Sequence, residues 1–262
     1  MNIELLELAA AALDGLLSEV AFVGGATVEL WITDPGAPPV RATNDVDVVV
    51  EVATRSEFHS FEERLRERGF GPDLEDGVIC RWRHRDNGFV LDAMPTDASI
   101  LGFANRWQAA ALPHAMARSL PSGATIRAIP PPYLLATKLE AFNGRGNNDF
   151  LASRDFADII TLLDGREELR DEITRSDTEV RRYLADEFRA MVVHPRFFDG
   201  VHGALLPDAA SQERAEAIVL PAIDTIIQSS EIRDTGRRIT TERADALRTL
   251  ADHDAGRTST DT

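Results

Sequence analysis

Residues 22–50 read FVGGATVELWITDPGAPPVRATNDVDVVV, and this stretch decides how the rest of the chain is interpreted. Two glycines, Gly24 and Gly25, follow a short apolar run and open a segment with helical periodicity. Asp45 and Asp47 stand one residue apart in a β-branched run, the first of them 20 residues after Gly25. The pattern predicts, in order, a strand, a glycine turn, a short helix, a proline-rich loop and a second strand.

The two aspartates are predicted to share one face of the second strand. Side chains alternate along a strand, so Asp45 and Asp47 project from one face and Val46 and Val48 from the other. Adjacent carboxylates repel each other, and a divalent cation such as Mg²⁺, which takes oxygen ligands and substrate phosphate, is the usual compensation. The glycine turn would let backbone amides approach a phosphate. Taken singly, the features also fit a solvated strand end and an ordinary turn.

The combination of the Gly-Gly turn, the short helix and the motif Arg41-x-Thr43-x-Asp45-x-Asp47 is more specific. It resembles the nucleotidyltransferase fold, the superfamily of DNA polymerase beta and of the AbiEii and MenT groups of toxin-antitoxin nucleotidyltransferases. The resemblance implies an α+β fold in which a mixed β-sheet is flanked by helices and followed by a helical C-terminal region. It implies a site in which Asp45 and Asp47 hold Mg²⁺ or Mn²⁺ and the nucleotide is bound by Gly24, Gly25, Arg41 and Thr43.

The implied activity is metal-dependent transfer of a nucleoside monophosphate from an NTP to an acceptor hydroxyl. The related toxins suggest the 3′ end of tRNA as the acceptor and a cognate antitoxin protein as a partner. A small molecule or a protein hydroxyl is an alternative acceptor, and a nucleotide-binding regulator without turnover is an alternative function. The presence of all three expected aspartates, Asp45, Asp47 and Asp92, favours the enzyme, since a degenerate site should lose a carboxylate first.

Composition restricts the remaining choices. The chain of 262 residues can bury a core of one large or two small domains, and it has no run of 18 apolar residues. Residues 1–20 carry acidic residues without a basic start, so neither a membrane span nor a signal peptide is expected. One cysteine, Cys80, fits the reducing cytoplasm and is predicted to be a buried strand thiol. The net charge of −16 argues against a broad basic surface for nucleic acid.

Asp92 is the candidate for a third carboxylate. It lies in the apolar run FVLDAM, and a buried carboxylate requires a partner. If this strand lies beside the strand of Asp45, Asp92 would reach the same metal, and the resemblance implies a third carboxylate at such a position. Asp97 is the competing candidate, although its surroundings indicate a loop. An ion pair of Asp92 with Arg81 or Arg83 is the non-catalytic alternative.

Lys138 is the only lysine in the chain, against 27 arginines. It stands in the helix-forming segment PPYLLATKLEAF, where the resembling family has a phosphate-binding lysine. A compact ammonium can neutralise phosphates where a guanidinium does not fit. The resemblance therefore implies a catalytic and nucleotide-binding role for Lys138, and the alternative is an ordinary solvated lysine.

The segment after Lys138 extends the resemblance through its K-x-x-A-x-x-x-R spacing and its S-x-D-x-x-D-I-x-x-L continuation. The resemblance implies a substrate-side role for Asp155. Supporting roles are assigned to Arg145, Asp149 and Asp158. The alternatives are plain helix capping by Ser153 and Asp155, and an ion pair between Asp158 and Arg154 four residues apart.

Three regions are predicted: a catalytic domain at 1–128, a helical domain at 129–228 after a triple proline, and a polar, partly disordered tail at 229–262. The resemblance covers about residues 20–170, and the two histidines of the 194–208 loop show no metal pattern. Elements predicted beyond the opening stretch include helices at 3–18, at 56–68 with Ser56 as N-cap and Gly69 closing it, at 154–163 and at 240–252. Strands are predicted at 77–83 and 88–94, joined as a hairpin, and at 124–129. The strands of the opening stretch are predicted at 20–23 and 41–52, and its helix at 27–32.

Overall fold

A mixed β-sheet organises the molecule. The computed structural model describes residues 1–52, 54–73, 79–102, 104–146 and 148–229. The strands of this sheet are β1 (Val20–Val23), β2 (Asp45–Val50), β3 (Phe70–Pro72), β4 (Arg81–His84), β5 (Val90–Pro95), β6 (Met116–Ser119) and β7 (Thr125–Ala128). Their order across the sheet is β3-β4-β5-β2-β1-β7-β6. The predicted α+β fold with a mixed sheet is confirmed.

Strand direction places the functional edge. Strand β2 runs antiparallel to β1 and parallel to β5, and β1 runs parallel to β7. The two outer pairs, β3 with β4 and β6 with β7, are antiparallel, as is β4 with β5. Strands β2 and β5 therefore begin at the same edge of the sheet. Strand β2 is the central strand, and its valines are buried on both faces.

Helices pack around the sheet and form the C-terminal region. They are α1 (Asn2–Ala12), α2 (Arg55–Glu67), α3 (Ala98–Leu101), α4 (Arg106–Ala111), α5 (Pro131–Arg145), α6 (Arg154–Gly165), α7 (Leu169–Arg175), α8 (Thr178–Val192), α9 (Phe197–Ala204) and α10 (Ala209–Arg214). Short 3-10 helices span Leu17–Glu19, Gly25–Trp31 and Leu112–His114, and a π-helix, Ala215–Val219, continues as α-helix over 220–229. The predicted helical region after the sheet is confirmed, whereas the domain boundary at 128/129 stays a prediction.

Several predicted boundaries are wrong. The first helix ends at Ala12 instead of residue 18, because the chain turns at Gly15, whose φ is +78°. Helix α2 begins at Arg55 and is capped by Thr54, not by Ser56: Thr54 and Glu57 exchange side chain to backbone hydrogen bonds in a capping box. The helix after the glycine pair is a 3-10 helix that already begins at Gly25.

The strand predictions also need correction. The carboxylate strand begins at Asp45, so Arg41 and Thr43 lie in an irregular segment before it rather than on it. The hairpin of β4 and β5 is confirmed, but its predicted first residues, 77 and 78, lie outside the described residues. Strands β3 and β6 were missed, since three or four residues give too short an alternation to recognise.

Aromatic side chains hold the C-terminal helices together. Phe142 of α5 and Phe156 of α6 pack around Phe150, with ring centroids 5.0 and 4.9 Å from it. Phe197 is fully buried against the same cluster, whereas Phe198 is half exposed. This packing fixes α6 against α5 and so fixes the charged residues that the two helices carry.

No helix in the described ranges is both long and apolar enough to cross a lipid bilayer. The predicted polar tail from 230 onward and the predicted helix at 240–252 lie outside the residues that the structure describes.

Cys80 is buried, as predicted, but it lies in the turn before β4 rather than in a strand. Burial, and then the negative charges of Asp92 and Asp47, raise the pKa of its thiol to about 12. Because only the thiolate attacks disulfide reagents, we expect labelling of the native protein at pH 8 to be at least about 10³-fold slower than labelling in denaturant. Following absorbance with an aromatic disulfide reagent checks this directly, since Cys80 is the only thiol. Comparable rates in the two states would contradict the burial.

Candidate active site

Three aspartates meet where β2 and β5 lie side by side. Asp45 and Asp47 share one face of β2, and Asp47 is directly opposite Asp92 in the parallel register of β2 with β5. The predicted adjacency of the two strands is therefore observed. Asp92 is buried and Asp47 is partly buried, so at least two of the carboxylates stand largely out of solvent.

Arg81 of β4 lies between two of these aspartates. Its Nε and Nη2 atoms donate to the two Asp92 oxygens at 2.9 and 2.8 Å, and Nη2 also reaches Oδ2 of Asp45 at 3.0 Å. The ion pair of Asp92 with Arg81, which the sequence offered as an alternative, is thus present. Arg83 instead pairs with Asp73. Arg81 itself was not predicted as a site residue.

Asp47 carries the uncompensated charge of the group. Burial raises the pKa of its carboxyl to about 7, with a further contribution from the negative charge of Asp45; Lys138 acts in the opposite direction. A pKa this high, beside two other carboxylates, means that the site has too little positive charge to stabilise the ionised form of Asp47. The three aspartates offer the hard oxygen ligands that Mg²⁺ and Mn²⁺ prefer, so their chemistry fits a divalent cation.

The described residues do not form a ready cluster of three or more metal-ligating side chains. The guanidinium of Arg81 occupies both oxygens of Asp92 and one oxygen of Asp45. Binding of a cation by all three aspartates therefore requires Arg81 to release these oxygens. Asp97, the competing candidate for the third carboxylate, lies apart as the N-cap of α3, accepting from the backbone N–H of Ser99.

Steric constraints require glycine at positions 24 and 25, in addition to the predicted approach of the backbone to a phosphate. Gly24 has φ of +80°, and a Cβ at this position would overlap the carboxylate of Asp47. A Cβ at Gly25 would stand 2.8 Å from the Thr43 side chain and 3.0 Å from Nη2 of Arg41. The glycine pair thus allows the aspartate strand and the segment before it to approach β1.

The irregular segment of Arg41 and Thr43 is fixed by a residue that the sequence did not indicate. Asn2, 1% exposed, donates from its amide nitrogen to the Arg41 carbonyl at 2.9 Å, and its oxygen accepts from the Thr43 N–H at 3.1 Å. The Thr43 hydroxyl donates to the Asp45 carbonyl. A buried asparagine at the start of a helix has no recognisable pattern in a single sequence.

Lys138 is buried, not solvated. Its ammonium lies 3.1 Å from Oδ1 of Asp155 and 2.6 Å from Oδ2 of Asp158. Burial alone would lower its pKa, but attraction to Asp158 and Asp155 outweighs burial and holds the pKa above its usual value. The amine is therefore a permanent cation at this site.

Two arginines complete a charged network around Lys138. Arg145 donates to both oxygens of Asp155 at 2.8 and 3.0 Å, and Arg41 donates to both oxygens of Asp158 at 2.9 Å. Although burial acts in the opposite direction, these cations hold the pKa of Asp155 below its usual range. Asp158 pairs with Arg41 and Lys138 rather than with Arg154, and it is as central as Asp155.

Helix capping also takes place here, as the alternative interpretation expected. The Ser153 side chain accepts from the N–H of Phe156 at the start of α6. Asp149 accepts from the N–H groups of Leu151 and Ala152 in the preceding turn. These bonds fix the start of α6, so capping and the charged network share one segment.

A cavity of about 760 Å³ collects most of the predicted residues. Its walls include eight of the nine: Gly25, Arg41, Thr43, Asp45, Asp47, Asp92, Lys138 and Asp155. Gly24 lines an adjoining cavity that also reaches Asp47 and Lys138. The structure thus brings together all nine residues, and it adds Arg81 and Arg154, which the sequence did not select.

Comparison with known proteins agrees with this geometry. A family model described as nucleotidyl transferase AbiEii toxin, type IV toxin-antitoxin system, matches residues 7–245. The match extends well beyond the predicted span of about 20–170 and includes the C-terminal helices. No individual curated protein matched the sequence. The chain, a nucleotidyltransferase enzyme, therefore belongs to the AbiEii nucleotidyl transferase toxin family.

Proposed function

We propose that this chain transfers a nucleoside monophosphate from an NTP to the 3′ hydroxyl of a tRNA, with Mg²⁺ or Mn²⁺ as cofactor, in the cytoplasm. Membership of a type IV toxin-antitoxin family implies a nucleotide substrate and a cognate antitoxin. The observation that carries the proposal is that Asp47 and Asp92 lie opposite each other on neighbouring strands, in a cavity that also contains Lys138. Such a site combines acidic groups for a cation with a permanent cation for phosphate.

The three aspartates have distinct tasks in this proposal. Asp45, Asp47 and Asp92 would hold the cation once Arg81 has moved. A bound divalent cation would neutralise phosphate charge and lower the pKa of the attacking hydroxyl. Asp92 accepts the proton of the acceptor hydroxyl as this oxygen attacks the α phosphorus in line with the departing pyrophosphate.

The cations of the cavity bind the phosphates. Lys138 lies deepest and neutralises the departing pyrophosphate, while Arg41 and the Gly24–Gly25 amides contact the β and γ phosphates. Asp155 carries a negative charge and repels phosphate, so we assign it the positioning of Lys138 and Arg145 rather than direct contact. The same reasoning applies to Asp158, which orients Arg41.

The charge of the chain is compatible with a local tRNA contact only. A net charge of −16 disfavours a broad nucleic-acid surface. Five cations nevertheless line the single cavity that would receive a tRNA end: Arg41, Arg81, Lys138, Arg145 and Arg154. Because the net charge of the chain disfavours nucleic acid, a small molecule or a protein hydroxyl is the second candidate acceptor.

The test is incubation of the purified protein with each of the four α-labelled NTPs, total tRNA and Mg²⁺, beside an Asp45→Ala/Asp47→Ala variant. We expect label on tRNA from one preferred NTP with the wild type and none with the variant. Omission of the metal should abolish the transfer as well.

The other outcomes separate the alternatives. Absence of labelled tRNA, with NTP binding intact by calorimetry, would reject the tRNA acceptor and direct the search to small molecules and proteins. Equal transfer by the wild type and the double variant would reject the assigned site.

A further inference from the structure

A second cavity, of about 450 Å³, adjoins the carboxylate cavity. The two share four wall residues, Asp47, Lys138, Arg145 and Asp155, which are the groups placed around the reacting phosphate. The second cavity therefore lies directly beside the one assigned to the phosphates of the nucleotide. The volume lies within the range of small-molecule sites.

The walls of the second cavity differ from those of the first. Apart from the shared residues they are largely apolar and include Val23, Met94, Ala104 and Ala141. Met94 is two residues after Asp92 on β5 and so projects from the same face of the sheet. The cavity thus continues along the face that carries the aspartates, between the sheet and helices α4 and α5. Apolar walls suit a flat aromatic ring better than a phosphate.

Four polar side chains line this wall besides the shared residues, and three of them, Asn105, Thr137 and Glu140, are bonded within the fold. The fourth is Gln108 of α4. Its side chain is 7% exposed, and its one hydrogen bond within the described part of the chain runs from Nε2 to the sulfur of Met94 at 3.4 Å. A thioether is a weak acceptor, and the amide oxygen of Gln108 accepts no hydrogen bond from the described residues. The amide therefore has donor and acceptor capacity available to a molecule in the cavity.

We infer that the second cavity binds the nucleobase of the donor NTP and that Gln108 reads the base edge. This inference rests on the proposed function and names the subsite that selects the nucleotide. The donor is favoured over the acceptor end because Lys138, the cation assigned to the donor's phosphates, lines both cavities. An NTP whose phosphates lie beside Lys138 has its base within reach of the second cavity.

Gly144, on α5, offers a steric test. It lies at the exposed edge of this cavity, and a Cβ built there meets no atom within 4 Å. Long side chains on a helix lean toward its N-terminus, so a phenylalanine at 144 would lie across the turn of Ala141 and the cavity mouth. Gly144→Ala makes the same backbone change without filling the space and is the matched control.

The measurement is calorimetric affinity for NTP and for inorganic tripolyphosphate, which has no base, with full-length protein and Mg²⁺. We expect Gly144→Phe to bind NTP at least about tenfold more weakly than Gly144→Ala, because the base loses its apolar burial. Affinity for tripolyphosphate should be equal in the two variants. Equal NTP affinity, with a raised KM for the acceptor in Gly144→Phe, would overturn the inference by placing the acceptor in this cavity.

Gln108→Leu provides a second, independent measurement. We expect the preference between the best NTP and the other three, as a ratio of kcat/KM, to fall about tenfold on loss of the amide contacts. An unchanged preference would overturn the role of Gln108. Wild type that binds NTP more tightly than tripolyphosphate but transfers nothing would reject the proposed function alone, since the binding comparison still reports on the cavity.

Discussion

Replacing Asp47 with asparagine should abolish nucleotidyl transfer and, in the absence of metal, make the protein more stable at pH 8. Transfer should fall by at least about 10³-fold, since the variant loses a metal-binding carboxylate that the chemistry requires. The gain in stability follows from the carboxyl's pKa of about 7, which burial and Asp45 raise from 3.8. The two effects have opposite signs, which is typical of a residue kept for function at the expense of the fold.

The sign of the pH dependence follows from linkage. The pKa of Asp47 is higher in the folded than in the unfolded state, so its contribution favours folding below pH 4 and is lost as the pH rises through 7. Asparagine does not titrate. The free energy of unfolding of Asp47→Asn relative to the wild type should therefore rise between pH 4 and pH 8, by up to about 4 kcal/mol.

Urea denaturation at several pH values, with a chelator present, measures this difference. Asp97→Asn is the control, because it replaces the other candidate carboxylate by an equally good helix N-cap and should leave transfer unchanged. Loss of stability in Asp47→Asn at pH 8 would show that the carboxylate is well paired in the fold. Loss of transfer in Asp97→Asn would mean that Asp97, and not Asp92, is the third carboxylate of the site.

Replacing Lys138 with methionine should destabilise the protein by about 3 kcal/mol, because it leaves two buried aspartates without their shared cation. Arg41 and Arg145 still contact Asp158 and Asp155, which keeps the loss at the lower end for a broken buried pair. Transfer should also be lost, even at temperatures where the variant is fully folded. Denaturation curves and transfer assays on the same preparation separate the two effects.

Arg154→Met is the matched control for this variant. Arg154 is an exposed cation that lines the same cavity, so its replacement should change stability by less than about 0.5 kcal/mol. A double-mutant cycle of Lys138→Met with Asp158→Asn should reveal a coupling of at least about 1 kcal/mol, as expected for a pair 2.6 Å apart. Additive effects would mean that the ion pair contributes nothing to the fold.

The sequence was informative where local periodicity carries the information. Alternation around Val46 and Val48 placed Asp45 and Asp47 on one face, and the run FVLDAM placed Asp92 in a strand, which the structure pairs with that of Asp47. The segment PPYLLATKLEAF was recognisable as helix-forming, and the structure has it as α5, with Leu134 and Leu139 buried. These features require no knowledge of distant parts of the chain.

Other features depend on contacts that no local pattern encodes. Arg81 reaches Asp45 across two strand pairings, and Asn2 holds a segment 39 residues away. The second cavity includes Ala104, Asn105 and Gln108, and the role inferred for Gln108 depends on the packing of α4 against α5. Ser56 was predicted as N-cap and Thr54 is the actual one; both residue types cap helices, so only the start of the helix in the structure identifies the cap.

The ion pair of Arg41 with Asp158 joins residues 117 positions apart. A ribosome delivers the chain from its N-terminus, so the glycine turn and the aspartates emerge long before Lys138 and α6 are available to face them. Strands β1 and β2 can pair early, yet Arg41, Lys138 and Arg145 cannot form their ion pairs with Asp155 and Asp158 until α6, which ends at Gly165, has been released. A translation product that stops before α6 contains the carboxylates but not the assembled phosphate site. We therefore expect a chain that ends before α6 to show no nucleotidyl transfer.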